Sequence, residues 1–376
     1  MLEIASLLVR GGNIVRFSSS GEVADFITAR GYECNKLPLA DVSYRDDGAF
    51  SLRATMVGSP QVLARTYRQL YLELGNMKKF RPDVVLSDSS VATVFAAWTL
   101  KVPVYTILNQ LSLAAPPNTS RKVGAALLSG GTTAGLAKIW ERSDAILIPD
   151  LPPPYTISES SLWSGAHRNV RYVGFLHGSE LAQHDSTSTA FASDPRPKVF
   201  WHVSGPPQTR GFMVKAGEAI AKALGGSYVF VITEGNPAGE RTPTSYKWGW
   251  RFGWCDAPQA YLEACNVVVT RAGHGSIARA IATAKPSLIV PIPNQTEQAG
   301  NAAKAARLGV ALTMPQEKLN ADSVRNAVEA LRREPYSSNV RSMARIAARF
   351  DATKTIVNIV EGRETRAAGP ARAASS

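Results

Sequence analysis

Short apolar runs alternate with longer helical patterns along the whole chain. The runs are Ile14–Phe17, Val84–Leu86, Val104–Leu108, Ala145–Ile148, Val199–Val203, Tyr228–Ile232, Val267–Thr270 and Ser287–Pro291. Each is nearly continuous in apolar residues rather than alternating, which predicts strands covered on both faces, as in a parallel sheet. Helical patterns between them predict doubly wound α/β units. The start departs from this rhythm. Leu2–Arg10 reads as a helix that Gly11 and Gly12 end, and the first strand pattern follows it. A doubly wound unit usually opens on a strand and a glycine-rich turn, so the first strand of the N-terminal domain is expected to be missing, the alternative being a fold that begins on a helix.

The segment Glu180–Pro197 is polar, rich in Ser and Thr, and poor in apolar residues. It reads as a linker and divides the chain into residues 1–179, a linker at 180–197, a second domain at 198–362 and a disordered tail at 363–376. A length of 376 residues suits two domains, each large enough to bury a core.

Charge adds an anionic partner to this picture. The net charge is +12, and residues 331–376 carry nine basic side chains against four acidic ones. Nucleic acid, anionic lipid and a phosphorylated substrate all fit such a balance, as does a solvated basic helix with a loose tail. No recognition-helix or aromatic RNA-binding signature is present, so nucleic acid is not the expected partner. Cys34, Cys255 and Cys265 form an odd, sparse set without CxxC spacing, which argues against a disulfide framework or zinc site and for a reducing, cytoplasmic setting. No apolar run is long enough to span a bilayer. Pro116–Arg142 is instead a stretch of small and apolar residues bracketed by Arg121, Lys122, Lys138 and Arg142. It suits either peripheral contact with an anionic membrane or a core helix pair with a glycine turn.

Three loops at predicted strand ends carry the candidate chemistry. In Val267–Ser276 a strand runs into Gly273-His274-Gly275-Ser276 and a helix leaves it. Glycines let a ligand approach the backbone, and the positive end of the helix favours an anion such as a diphosphate. A strand–helix turn of purely structural purpose has the same look. In Pro291–Ala302, Glu297 and Gln298 offer groups suited to sugar hydroxyls. In Trp201–Gln208, Ser204 and Gly205 sit where an anion could meet the backbone. The C-terminal edge of an open sheet is where such folds bind ligands.

The stretch Gly253–Met314, with its VVVTRAGHGS and PIPNQTEQAGNA segments, resembles the C-terminal domain of glycosyltransferases with the GT-B fold. The family-28 type, which includes the N-acetylglucosaminyltransferase that makes lipid II, is the nearest likeness. The resemblance implies two Rossmann-like domains facing a cleft, an acceptor-side domain first and a nucleotide-sugar-binding domain second. It implies a nucleoside-diphosphate sugar, most often UDP-linked, and an acceptor hydroxyl that is lipid-linked in some members. Trp254 and Cys255 would flank the base, Gly273, His274, Gly275 and Ser276 would hold the diphosphate, Glu297 and Gln298 would contact the sugar, and Asn301 would brace the helix start. No metal or other cofactor is expected.

Two departures from the family pattern stand out. Arg279 occupies the position where the family has a glutamate for the ribose hydroxyls, and a guanidinium accepts no hydrogen bond. The histidine-bearing first turn of related enzymes has no counterpart here. Asp88, at the end of the strand pattern Val84–Leu86, is the remaining acid expected near the cleft. It could act on an acceptor hydroxyl or cap the following helix. A non-catalytic nucleotide-sugar-binding subunit and a UDP-sugar 2-epimerase are the alternative functions for such an architecture.

Overall fold

The computed structural model describes residues 1–39, 59–109, 138–159, 169–176 and 184–363. Residues 116–137 of the basic-flanked stretch, 180–183 of the expected linker and 364–376 of the expected tail lie outside them.

The first half opens on α1 (Leu2–Arg10), β1 (Phe17–Ser20), α2 (Gly21–Ala29) and β2 (Cys34–Leu37), with β1 and β2 paired in parallel. Then come α3 (Ser59–Phe80), β3 (Val85–Asp88), α4 (Val91–Thr99), β4 (Val104–Ile107), β5 (Ala145–Ile148) and β6 (Val170–Tyr172). The last four strands form a parallel sheet in sequence order. One expectation is corrected here. The apolar run Ile14–Phe17 is not the first strand, because Ile14 is 85% exposed and pairing begins where the Phe17 amide donates to the Glu33 carbonyl at 2.9 Å. The strand itself is Phe-Ser-Ser-Ser.

The second half comprises α5 (Ser186–Ser193), β7 (Lys198–His202), α6 (Pro207–Leu224), β8 (Val229–Thr233), β9 (Thr244–Tyr246), β10 (Gly249–Phe252), α7 (Pro258–Ala264) and β11 (Val267–Thr270). It continues with α8 (His274–Ala282), β12 (Ser287–Ile289), α9 (Thr296–Arg307), β13 (Ala311–Thr313), α10 (Ala321–Leu331), α11 (Tyr336–Ala347) and α12 (Ala352–Val360). The sheet order is β13-β12-β11-β7-β8-β10-β9, parallel except for the edge strand β9. The order runs outward from β7 on one side and from β11 on the other. The crevice between these neighbours is therefore a topological switch point, the place where such sheets bind ligands.

The near-continuous apolar strands follow from two covered faces. Val199, Trp201 and Val203 pack toward α6 and α10 with Met213, Ile220 and Val324, while Phe200 packs the other way with Phe191, Tyr261 and Leu262. Trp201 is fully buried, and its indole N–H donates to the Met213 carbonyl at 3.0 Å. Phe191 lies on α5, inside the segment read as linker. A reciprocal Asp185–Ser188 capping box starts that helix, so residues 186–193 cover the second sheet.

The chain finally returns to the first half. On α12, Ile356, Val357 and Ile359 share a core with Ile4 and Leu8 of α1 and with Ile107 and Leu147 of the first sheet. The Asn13 amide ties the Leu8 carbonyl to Glu361, at 3.0 Å each. Where the crossing segments meet, Gly174 has φ 88° and a Cβ there would stand 2.3 Å from that of Phe350.

Candidate functional site

The switch point gathers most of the residues singled out above. Gly273 caps α8 with extended backbone (φ −64°, ψ 134°), and the Ser276 amide bonds back to its carbonyl at 3.1 Å. The first-turn amides of a helix have no intrahelical acceptors, and they carry its positive end. A Cβ built on Gly273 or Gly275 would meet nothing within 4 Å, and neither residue has positive φ. The fold therefore requires glycine at neither position, and their bareness leaves the space in front of α8 open. Across the crevice the Ser204 and Ser276 hydroxyls lie 2.9 Å apart. Gly205 does need to be glycine, with φ 106° at the turn after β7.

Glu297, Gln298 and Asn301 on α9 meet the same loop. Oε1 of Gln298 accepts from the Ala272 amide at 3.2 Å and the Ile292 amide at 3.0 Å, so this acceptor is engaged within the protein and joins two loops. Asn301, fully buried, donates to the Ala272 carbonyl at 3.1 Å. Glu297 is half-buried. Desolvation raises its pKa, partly offset by the nearby His274 and by Asn301. Beneath the loop, the guanidinium of Arg271 is 1% exposed. It donates to the Thr209, Val290 and Pro291 carbonyls and to Gln316, tying four segments of the sheet edge together. It has no carboxylate partner among the described residues. Burial lowers its pKa to about 10, which leaves it charged at neutral pH.

Buried polar atoms without an aligned partner concentrate here: Thr270 Oγ1, Arg271 Nε, His274 Nε2, Gln295 Oε1 and Asn301 Oδ1. Native cores satisfy nearly all such atoms. Their gathering at one sheet edge makes that edge the candidate binding site.

His274 connects the two halves. It is buried, with Nε2 3.0 Å from Oδ2 of Asp150 and its ring edge-on to Phe175. The approach is close, but the ring N–H does not point along it. Asp150 follows β5 and is fully buried. It accepts from the amides of Leu151 (2.7 Å), Ile157 (3.1 Å) and Ser158 (2.9 Å) and from the Ser158 hydroxyl (2.7 Å). Burial pushes its pKa up, but His274 and Ser158 outweigh this and hold it below the ordinary value. Asp150 was not among the residues picked from sequence. The feature that singled out Asp88, an acid closing an apolar strand pattern, is present in Leu147-Ile148-Pro149-Asp150 as well.

Trp254 and Cys255 stand on the loop after β10. The Trp254 indole donates to Asp256 at 3.0 Å and its ring meets Phe26 of α2 edge-on, while Arg30, just after α2, pairs with Asp256 at 3.0 Å. Burial raises the Cys255 thiol to about 12, which excludes it as a nucleophile at neutral pH. Arg279 acts electrostatically on both Cys255 and His202, which places it on that side of α8.

Asp88 is not in contact with these groups. It ends β3 and does not cap α4, because Ser90 does so by accepting from the Thr93 amide. In register it lies beside Ile107 of β4, itself beside Leu147 of β5. At the usual strand spacing its backbone is thus about 10 Å from β5. Its carboxyl reaches solvent, yet the surrounding protein raises its pKa by desolvation. The described residues contain no cluster of three or more His, Cys, Asp or Glu able to hold a metal.

Two α/β sheets whose C-terminal edges meet at Asp150 and His274 define the class, the GT-B architecture. Residues 225–358 match the glycosyltransferase family 28 C-terminal domain. An uncharacterized glycosyltransferase of Methanosarcina mazei is 24% identical over 376 residues, covering 96% of this chain and 93% of that protein. The UDP-N-acetylglucosamine–N-acetylmuramyl-(pentapeptide) pyrophosphoryl-undecaprenol N-acetylglucosamine transferase of Pseudomonas savastanoi is 39% identical over 106 residues, 27% of this chain and 29% of that one. The Streptomyces sp. SF2575 glycosyltransferase SsfS6, solved with thymidine diphosphate, superposes with a TM-score of 0.63 at 18% identity, covering 96% of this chain and 95% of that chain. The chain is a glycosyltransferase whose C-terminal domain is similar to that of family 28. Among the described residues no helix is long and apolar enough to cross a membrane.

Proposed function

We propose that the chain transfers a sugar from a nucleoside-diphosphate sugar, UDP-linked in the first instance, to an acceptor hydroxyl. One observation carries this reading: the N-terminus of α8 carries two glycines facing open space, and buried polar atoms without an aligned partner, on Thr270, Arg271, Gln295 and Asn301, lie on the segments around it. The diphosphate is read as lying against Gly273–Ser276, on the amides of His274 and Gly275. The helix dipole, His274 and the buried charge of Arg271 would stabilise the negative charge that builds as the sugar C1–oxygen bond breaks. These groups supply the electrostatics a metal would otherwise provide, so no metal is required. Glu297 would meet the sugar hydroxyls and Trp254 the base. Asp88 would take the acceptor proton as its oxygen bonds to C1, and its raised pKa suits a base. The thymidine diphosphate in SsfS6 and the UDP donor in the name of the Pseudomonas relative support a nucleotide donor.

Calorimetry with UDP and thymidine diphosphate in the presence of a chelator tests the donor site. Binding by neither, or binding only with a divalent ion, would sink the reading. For Asp88→Asn, turnover should fall while nucleotide affinity stays, and loss of affinity instead would move Asp88 out of the acceptor role.

The acceptor is read as a lipid-phosphate-linked hydroxyl at a cytoplasmic membrane surface, on the strength of the +12 net charge and the basic residues around 116–142. Flotation with anionic vesicles should be salt-sensitive, and its absence would remove the membrane.

A further inference from the structure

We propose that Asp150 is a positioning residue for the donor site: reaching across from the first half, it fixes the His274 ring so that Nδ1 faces the leaving diphosphate as a hydrogen-bond donor. The proposal rests on the diphosphate reading given above.

Four observations lead to it. The Asp150 carboxylate is 0% exposed and held by four hydrogen bonds from its own loop, so it cannot swing to follow a ligand. It stands 3.0 Å from Nε2 of a histidine that is 6% exposed, against the flank of that ring that turns away from solvent. The other ring nitrogen, Nδ1, has no partner among the described residues and is not sealed from water. His274 is also the first residue of α8, where the free amides point.

The chemistry follows from the inventory of an imidazole. A ring whose Nε2 hydrogen faces a carboxylate can donate from Nδ1 only as the imidazolium. With a fixed carboxylate against one ring nitrogen and the diphosphate against the other, both positions call for a donor. Glu297 of α9 also acts on the ring, its pKa raised by desolvation, and among the described residues it is held by a single 3.5 Å hydrogen bond from Asn301; Phe175 contributes only its ring, and the α11 residues in the adjoining core, Val340 and Met343, are apolar. Asp150 is thus the fixed anion. The misaligned Nε2 contact would straighten when an anion pulls on Nδ1, as such bonds commonly tighten on ligand binding. Because the two partners belong to different halves, the donor site is complete only while the halves are apposed as they are here.

A double-mutant cycle on thymidine diphosphate and UDP affinity separates this role from a structural one. Asp150→Asn should weaken binding by about tenfold in the wild-type background and by less than twofold in His274→Gln. An equal loss in both backgrounds overturns the proposal and leaves Asp150 as a loop support. Should the Asp150 variant fail to fold, the wild-type protein decides. With ¹⁵N-labelled histidine, His274 is identified among the five histidines by its absence in His274→Gln. Both of its ring nitrogens should be protonated in the nucleotide complex. A singly protonated ring in that complex refutes the proposal. If neither nucleotide binds the wild type, the donor reading falls and the role of Asp150 with it.

Discussion

Replacing Gly275 with alanine separates what the fold needs from what a ligand needs. Gly275 is the second residue of α8, its φ is not left-handed, and an added Cβ would meet nothing within 4 Å. Alanine in a helix is favoured over glycine by about 0.5–1 kcal/mol, an upper figure so near the end. In a protein of this size that raises the melting temperature by no more than about 2–3 °C. Binding should move the other way. The methyl group would stand where an anion must approach the first-turn amides, and losing one hydrogen bond to a charged group costs about 1.5–3 kcal/mol. That corresponds to roughly a ten- to hundredfold weaker dissociation constant. Differential scanning fluorimetry and calorimetry with UDP on the same preparation read both effects. A variant that melts no lower and binds UDP as tightly as the wild type would refute the reasoning, because the open space would then not be ligand space. A variant that melts several degrees lower would refute the packing argument.

Gln298→Leu strips the acceptor from two buried amides at about 1–3 kcal/mol each, so both melting temperature and nucleotide affinity should fall together. Loss of affinity with an unchanged melting curve would contradict the tie seen between Ala272 and Ile292. The acid side of the stability profile carries the mark of Asp150. Its folded pKa lies below the ordinary aspartate value, so its contribution is full above about pH 4 and is lost as pH falls through the folded value. Asp88 and Glu297, both raised, contribute with the opposite sign. Melting temperature between pH 5 and 2 should therefore drop less steeply in His274→Gln than in wild type, and parallel curves would argue against the pair. Arg279→Glu restores a group that accepts from both ribose hydroxyls. It should tighten UDP relative to thymidine diphosphate, whose sugar lacks one of them, and an unchanged ratio in calorimetry would remove Arg279 from the ribose site.

Much of this architecture is legible in the sequence because its cause is local or periodic. The strands of the second sheet are buried on both faces, and runs such as Val267–Thr270 record that directly. The three loops at one sheet edge follow from strand direction. Other features depend on partners far along the chain. The role of Asp150 appears only when Leu151, Ile157 and His274 are brought around it. The acceptor of Gln298 proves to serve Ala272 and Ile292, which no adjacency to Glu297 could reveal. Helix α5 was masked by its Ser/Thr-rich composition, although Asp185 and Ser188 have the spacing of a capping box. Strand β1 overlaps its apolar run only at Phe17, because the neighbouring strand, not side-chain burial, sets where pairing starts.

The return of α12 to the first half bears on how the molecule can be divided. A fragment ending at the linker would lack Ile356, Val357 and Ile359, and α1 would lose the surface that covers Ile4 and Leu8. The complementary fragment would carry those three side chains into water with nothing to shield them, an aggregation liability. The polar segment between the sheets is thus a poor place to cut, and the first half becomes self-sufficient only when the last helix is supplied with it, in the same chain or as a separate peptide.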